Sequence, residues 1–226
     1  MLPTLFRTFT LFAELDDREL ASIASVAKSR HYAKDDVIFH ADEVGDVFCL
    51  ISEGHVKVTM ISPEGKEIIL SMMGPGDFFG EMALLDDEPR SATVIATEPL
   101  DVMTIWRSDF LQILSDNFAI TRKVLAELSK RLRAASNRIE SLATMDVYGR
   151  LARFLLDLAR DHGTTLENGY VAVTRPTHQS IANTIGTSRE TVSRLIHGLI
   201  KQNLLMTEGK TLYLRKSAID QFKAEG

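Results

Sequence analysis

Arg189, Glu190 and Arg194 are three charged side chains in one short stretch, THQSIANTIGTSRETVSRLIHGLIKQ at 177–202. Each arginine can offer two donors spaced for O6 and N7 of guanine, and the glutamate can accept from the N4 amino group of cytosine. On its own, a Glu190–Arg194 spacing also suits an i,i+4 pair on a solvated helix face. The base-edge chemistry gains weight from what surrounds these residues. A glycine turn, a capped second helix, two arginines at i and i+5, and a following hairpin occur together.

The elements that would position these side chains are legible. Thr177 to Ile185 reads as one short helix with Ile181, Ala182 and Ile185 on its apolar face. Gly186 supplies the positive φ of a tight inter-helix turn. Ser188 is a good N-cap. In the helix that follows, Val192, Leu195, Ile196 and Leu199 point inward. Arg189, Glu190, Ser193, Arg194 and His197 point outward. This is the plan of a helix-turn-helix, whose second helix enters the major groove. LLMTEGKTLYLRK then reads as a hairpin turning at Glu208-Gly209, a wing. Thr177, His178 and Ser188, at the first turns of the two helices, and Ser193 complete the candidate DNA-binding set. His178 is placed to touch a phosphate. Charge agrees with this division: residues 1–146 hold 15 Lys/Arg against 24 Asp/Glu, whereas residues 147–226 hold 11 against 7. Only the basic part is suited to a polyanion.

Upstream, DDRELASIASVA at 16–27 predicts a short helix capped by Asp16 or Asp17. From about 30 to 106, short β-branched and aromatic runs alternate with turn signals such as Gly45, Glu53-Gly54, Gly74-Pro75-Gly76-Asp77 and Glu88-Pro89. That texture predicts a compact antiparallel sandwich or roll. No Gly or Pro occurs from 108 through 148, and one long helix is expected over about 116–145. Its residues Phe118, Thr121, Leu125, Leu128, Leu132, Ala135, Ile139 and Leu142 alternate in steps of three and four, the a/d pattern of a parallel dimer seam. An amphipathic helix packed on its own domain is the alternative. A further helix is expected over Gly149–Arg160. The expected fold is α+β, in three parts: a β-roll at 1–115, a dimerisation helix at 116–145, and a winged helix-turn-helix at 146–226.

The run SRETVSR at 188–194, with the GT before it and LIHGLIKQNLL after it, closely resembles the recognition helix of the cyclic-AMP receptor/fumarate-nitrate regulator (CRP/FNR) family. MDVYGRLARFLLDLA at 145–159 resembles that family's hinge and next helix, and the resemblance extends over essentially the whole chain. It implies that Arg189, Glu190 and Arg194 read a TGTGA-like half-site. FGEMALLDDEPRSATV at 79–94 resembles the phosphate-binding cassette of cyclic-nucleotide domains. There Gly80 would let the backbone approach the ligand, Glu81 would accept from the ribose hydroxyl, and Arg90 would fork onto the phosphate. The cofactor-binding set implied by the resemblance is Gly80, Glu81, Met82, Ala83, Arg90, Ser91, Ala92, Arg131, Ala135 and Ser136. One departure stands out. In cyclic-AMP-responsive members a Thr-Ser pair contacts the adenine, and here the pair is Ala135-Ser136.

Other chemistries find less support. Cys49 is the only cysteine, so neither an internal disulfide nor an iron–sulfur cluster can be built. The six histidines show no metal-ligand spacing. No nucleophile elbow, P-loop or paired-carboxylate context suggests an enzyme. No apolar run is long enough to span a membrane and no secretory signal is evident. The expectation is a cytoplasmic homodimer that binds double-stranded DNA and works with RNA polymerase, gated by a cyclic nucleotide, with cyclic AMP favoured. Alternatives are control by cyclic di-GMP, action without nucleotide, or a cyclic-nucleotide regulatory subunit of an enzyme or channel.

Overall fold

The computed structural model describes residues 6–167 and 169–217. The chain divides into two compact units, residues up to Leu132 and residues from Arg133.

The first unit opens with a single 3-10 turn at Thr10–Phe12 and helix α1, Asp17–Val26. Asp16 caps α1, accepting from the Arg18 and Glu19 N–H groups, while the Glu19 carboxylate reaches back to the Asp16 N–H at 2.9 Å. This capping box settles which of the two aspartates starts the helix. Strands β1 (Lys28–Tyr32), β2 (Val37–Phe39), β3 (Val47–Glu53), β4 (Val56–Ile61), β5 (Glu67–Met73) and β6 (Phe78–Phe79) follow. A one-turn helix α2 (Met82–Leu85) separates them from β7 (Thr93–Ala96) and β8 (Leu100–Trp106). The strands form two antiparallel four-stranded sheets, ordered β1-β8-β3-β6 and β2-β7-β4-β5. This is the expected roll.

Strand β3 shows why the roll closes. Side chains alternate along a strand. Phe48 and Leu50 enter a cluster with Phe6, Phe9, Phe12, Leu20 and Phe110. Cys49 and Ile51 enter a second cluster with Val56, Phe79, Val94 and Val102. Both faces are buried, which is why the strand reads as the continuous apolar run VFCLI. The Phe48 and Phe110 rings stack at 4.3 Å between centroids.

Helix α3 (Arg107–Asp116) and helix α4 (Phe118–Thr144) complete the first unit, α4 continuing into the second. The long helix therefore occupies nearly its expected span, but a separate helix precedes it. Asn117 makes the break. Its N–H bonds back to the Ile113 carbonyl, closing α3, and its side-chain oxygen accepts from the Ile120 N–H at 3.2 Å, opening α4. The seam also needs correction. Leu128 packs, with buried Ile120 and Val124, on the cluster of the first unit. Thr121 gives its hydroxyl to the Leu114 carbonyl at 2.6 Å. The large apolar seam residues that remain exposed are Phe118 at 78%, Leu125 at 56%, Leu132 at 69% and Ile139 at 69%, repeating every seven positions, joined by Leu142 and the small Ala135.

The second unit holds α5 (Val147–His162), β9 (Thr164–Thr165), β10 (Tyr170–Thr174), α6 (His178–Ile185), α7 (Arg189–Lys201), β11 (Leu205–Glu208) and β12 (Thr211–Arg215). The sheet order is β11-β12-β10-β9. Its core joins Leu151 and Leu155 of α5 to Ile181, Val192, Ile196, Leu199, Leu212 and Leu214. The wing hairpin stands where Glu208-Gly209 placed it. Strand β10 was not anticipated: YVAVT is short, and it becomes a strand by pairing with distant β12. Of the expected linker signal Asn168-Gly169, Asn168 lies outside the described residues.

Phe110 is fully buried and stacked, so Phe110→Ala opens a cavity that neighbouring rings cannot fill. The expected loss is about 3–5 kcal/mol, read as a lower urea midpoint with an unchanged slope.

Candidate functional site

The stretch from Phe78 to Ala92 places Gly80, Glu81, Met82, Ala83, Arg90, Ser91 and Ala92 around one turn beside β6, and Arg131 reaches it from α4. Gly80 has φ +85°. A Cβ there would lie 2.8 Å from Arg90 Nη1 and 2.9 Å from both Phe39 Cε2 and the Val47 carbonyl oxygen. Conformation and space both require glycine.

Arg90 is only 5% exposed. Its Nη1 donates to the Gly80 carbonyl at 2.7 Å and its Nη2 to the Val47 carbonyl at 2.8 Å. The guanidinium carbon lies 3.7 Å from the centre of the Phe39 ring. Burial lowers its pKa, with Cys49 and the nearby acidic groups opposing. Its backbone is pinned as well: Arg90 N–H donates to the Glu43 carbonyl at 2.8 Å and its own carbonyl accepts from Asp42 N–H at 2.9 Å. Gly45, which the sequence marked only as a turn, packs against the same group. A Cβ on it would lie 2.5 Å from Ala83 Cβ and 2.9 Å from the Arg90 guanidinium carbon.

Glu81 is 2% exposed. Its carboxylate accepts from Arg131 Nη1 at 3.0 Å, so its ionic partner is Arg131 and not Arg90. Burial raises the Glu81 carboxyl and the charge of Arg131 opposes that rise. Arg131 also donates to the Phe78 carbonyl at 2.6 Å and pairs with Glu127 at 3.4 Å. Buried charges need such partners. Ala83 and Ala92 are buried, whereas Met82 and Ser91 are exposed, the Ser91 hydroxyl lying 3.8 Å from Met82 Sδ. On the C-terminal side of the turn, Arg107 donates to the Ala83 carbonyl at 3.4 Å and pairs with Asp87. Ala135 and Ser136 are exposed residues of α4 within the second unit.

In the first unit, a recess of about 280 Å³ is lined by residues that include Arg30, Tyr32, Cys49, Arg90 and Trp106. Burial pushes the Cys49 thiol up to about 12 against the pull of Arg90 and Arg30, so it stays protonated and unreactive at neutral pH.

In the second unit, the candidate DNA-reading residues lie on two successive helices. Thr177 caps α6, its hydroxyl accepting from Ser180 N–H at 3.0 Å. Gly186 ends α6 in the left-handed region at φ 68°. Ser188 caps α7, its hydroxyl accepting from Thr191 N–H at 3.2 Å. Val192, Ile196 and Leu199 are buried and Leu195 is half-buried, which turns Arg189, Glu190, Ser193, Arg194 and His197 to solvent. Among the described residues no ion pair joins Glu190 to Arg194 or holds Arg189. Hydrogen bonds from its own N–H and from Ser188, helped by Arg189, hold the Glu190 carboxyl below the usual carboxylate range. It is thus an ionised acceptor at neutral pH. Burial, then the charges of Arg175 and Arg189, lower the His178 imidazole, which leaves it neutral with one N–H donor.

Among the described residues no helix is long and apolar enough to cross a membrane, and no group of His, Cys, Asp and Glu could hold a metal ion.

Two family models match the regions that carry these residues. Residues 29–117 match the model of the cyclic nucleotide-binding domain, and residues 149–218 that of the Crp-like helix-turn-helix domain. The chain is 30% identical over 208 residues to the CRP-like cAMP-activated global transcriptional regulator of Mycobacterium tuberculosis, covering 92% of each chain. It is 36% identical over 184 residues to the cAMP-activated global transcriptional regulator CRP of Escherichia coli, covering 80% of this chain and 86% of the relative. A solved structure of the c-di-GMP responsive global regulator CLP of Xanthomonas campestris has the same fold, with a TM-score of 0.75 at 23% identity, covering 88% of this chain and 99% of that one. Two family models in tandem, and relatives matched over most of their length, carry one conclusion: this chain belongs to the CRP/FNR family of DNA-binding transcription regulators and is not an enzyme.

Proposed function

We propose that the protein acts as a cytoplasmic homodimer. A cyclic nucleotide held at Gly80, Glu81 and Arg90, cyclic AMP in the favoured reading, governs how two recognition helices meet a palindrome of TGTGA-like half-sites. The observation that carries the ligand reading is the buried Arg90, set between two glycines with its guanidinium tied to the Gly80 and Val47 carbonyls. A guanidinium has five donors, and two carbonyl bonds leave others for the oxygens of a phosphate. The arginine is already oriented and desolvated, so a phosphate does not bear the cost of ordering it. Glu81, whose carboxyl oxygen is bonded to Arg131, can accept from a ribose hydroxyl. Met82, Ala83, Ser91 and Ala92 line the same turn. The names of the Mycobacterium tuberculosis and Escherichia coli relatives support cyclic AMP.

A second reading, cyclic di-GMP, rests on Ala135. That side chain has no hydroxyl for an adenine, and the Xanthomonas campestris relative is described as c-di-GMP responsive. For the assembly, the support is the exposed apolar row of Phe118, Leu125, Leu132 and Ile139. A stripe with that period suits a second helix of the same kind. For DNA, the support is the solvent-facing Arg189, Glu190 and Arg194, with Thr177, His178, Ser188 and Ser193 on or capping the same two helices. Half-sites about one helical turn apart suit a two-fold dimer, and RNA polymerase is the partner that a transcription regulator of this kind addresses.

Arg90→Ala is expected to cost about 1.5–3 kcal/mol of nucleotide binding, roughly ten- to more than a hundredfold in affinity. Calorimetry against cyclic AMP and cyclic di-GMP measures it. Ala135→Thr keeps or raises affinity for cyclic AMP if that is the ligand, and weakens a bulkier dinucleotide. No heat, and no gain in DNA affinity, with millimolar cyclic AMP ends the favoured choice.

Arg194→Ala should cost roughly 1–3 kcal/mol on the palindrome and relax preference at one guanine. Equal weakening on palindrome and random duplex, in a binding titration, contradicts base reading.

Leu132→Asp places a charge in the seam, and the expected species in analytical ultracentrifugation is a monomer that no longer holds palindromic DNA. A variant that still sediments as a dimer rules the seam out.

A further inference from the structure

The last carbonyls of an α-helix have no partner inside the helix. At the end of α6 they are taken by groups from three places. The Ala182 carbonyl accepts from Gly186 N–H and from Thr187 N–H, the latter at 3.1 Å. The Thr184 carbonyl accepts from the guanidinium of Arg138, on the last third of α4. The Ile185 carbonyl accepts from Arg150 Nε, on α5, at 2.9 Å. The same Arg150 donates through Nη1 to the Met145 carbonyl at 2.9 Å, in the two-residue link between α4 and α5. A Cβ at Gly186 would rest 3.6 Å from Leu142 Cδ2, again on α4. Ser188, two residues beyond Gly186, is the cap that starts α7.

We propose that Arg138 and Arg150 are positioning residues for DNA reading. Together they clamp the C-terminal end of α6 to α4 and to the α4–α5 link, and so set the direction in which α7 presents Arg189, Glu190 and Arg194. Each guanidinium meets a helix end that carries partial negative charge, where a cation is favoured. The clamp is made to backbone oxygens, separate from the apolar core of Leu151, Leu155, Ile181, Val192 and Leu212. Its loss therefore frees an angle more than it removes core packing. Arg138 lies two residues beyond Ser136 on the same helix. A shift of α4 at the expected ligand contacts thus reaches the Thr184 carbonyl through a rigid helix and one hydrogen bond, bypassing the link at Met145. This inference rests on the base-reading role proposed above for α7.

The test uses the full-length protein and a duplex that the wild type itself selects from random sequence, so that no half-site is presumed. Affinities for this duplex and for a scrambled one are measured across a salt series for wild type, Arg138→Ala, Arg138→Lys and Arg150→Ala. Thermal midpoints are recorded alongside. Arg138→Ala and Arg150→Ala are each expected to lose about three- to thirtyfold on the selected duplex. The scrambled duplex and the salt slope should stay unchanged, since neither arginine is used on phosphate. The loss should spread over all half-site positions, unlike that of Arg194→Ala, and Arg138→Lys should recover part of it through a single N–H. Full selectivity in both alanine variants overturns the clamp. So does parallel loss on both duplexes, or a collapsed thermal midpoint that Arg138→Lys does not restore. A wild type that selects no sequence refutes base reading, and the clamp falls with it; selection by wild type and alanine variants alike refutes the clamp alone.

Discussion

A guanidinium buried to 5% exposure cannot be left unsatisfied, and much of the first unit is arranged around that need at Arg90. Its desolvation is met by two backbone carbonyls and an aromatic face, the partners a delocalised cation accepts most readily. Those partners come from β2, β3 and the turn after β6, so the roll must close before the arginine can be held. Gly45 and Gly80 are glycine because the guanidinium occupies the volume where their Cβ atoms would sit. The buried Glu81 carboxyl takes Arg131 as its hydrogen-bond partner.

Helix α4 carries two apolar requirements at once. In the first unit Ile120, Val124 and Leu128 are drawn into the cluster under the roll, while Phe118, Leu125 and Leu132 stay outside. A single-faced helix would leave only polar groups there. The exposed row is large, regular and apolar, and isolated soluble chains rarely carry such a surface uncovered. Arg131, between the two stripes, turns toward Glu81. One helix thus offers a wall to the roll, a cation to the Glu81 turn and an apolar row on its outer side. Beyond Leu132 its contacts change character, from side-chain packing to guanidinium and leucine contacts with the end of α6.

The second unit separates what is held from what is displayed. Apolar residues of α7 at 192, 196 and 199 point into the core, and the charged ones between them are left to solvent with no acidic group on the same helix claiming an arginine. That independence matters for a recognition surface, because an arginine already paired must break that pair before it can meet a base.

The sequence by itself determined what local rules control. The helix cap at Ser188, the left-handed Gly186, the wing turn, and the outward set on α7 depend on residues within a turn or two of one another. Their physical causes lie within the segment that shows them. The tertiary structure decided the rest. That Glu81 pairs with Arg131 rather than Arg90, that Gly45 and Phe39 belong to the Arg90 site, that YVAVT becomes a strand, and that Arg138 and Arg150 hold the end of α6 all join residues 35 or more positions apart. The break at Asn117 is the exception: it is local, but an asparagine in a helix-like run is compatible with continuing or stopping. Periodicity places a residue on a face. Which face is covered, and by which distant carbonyl or ring, is settled only when the chain closes on itself and every buried charge must find a partner.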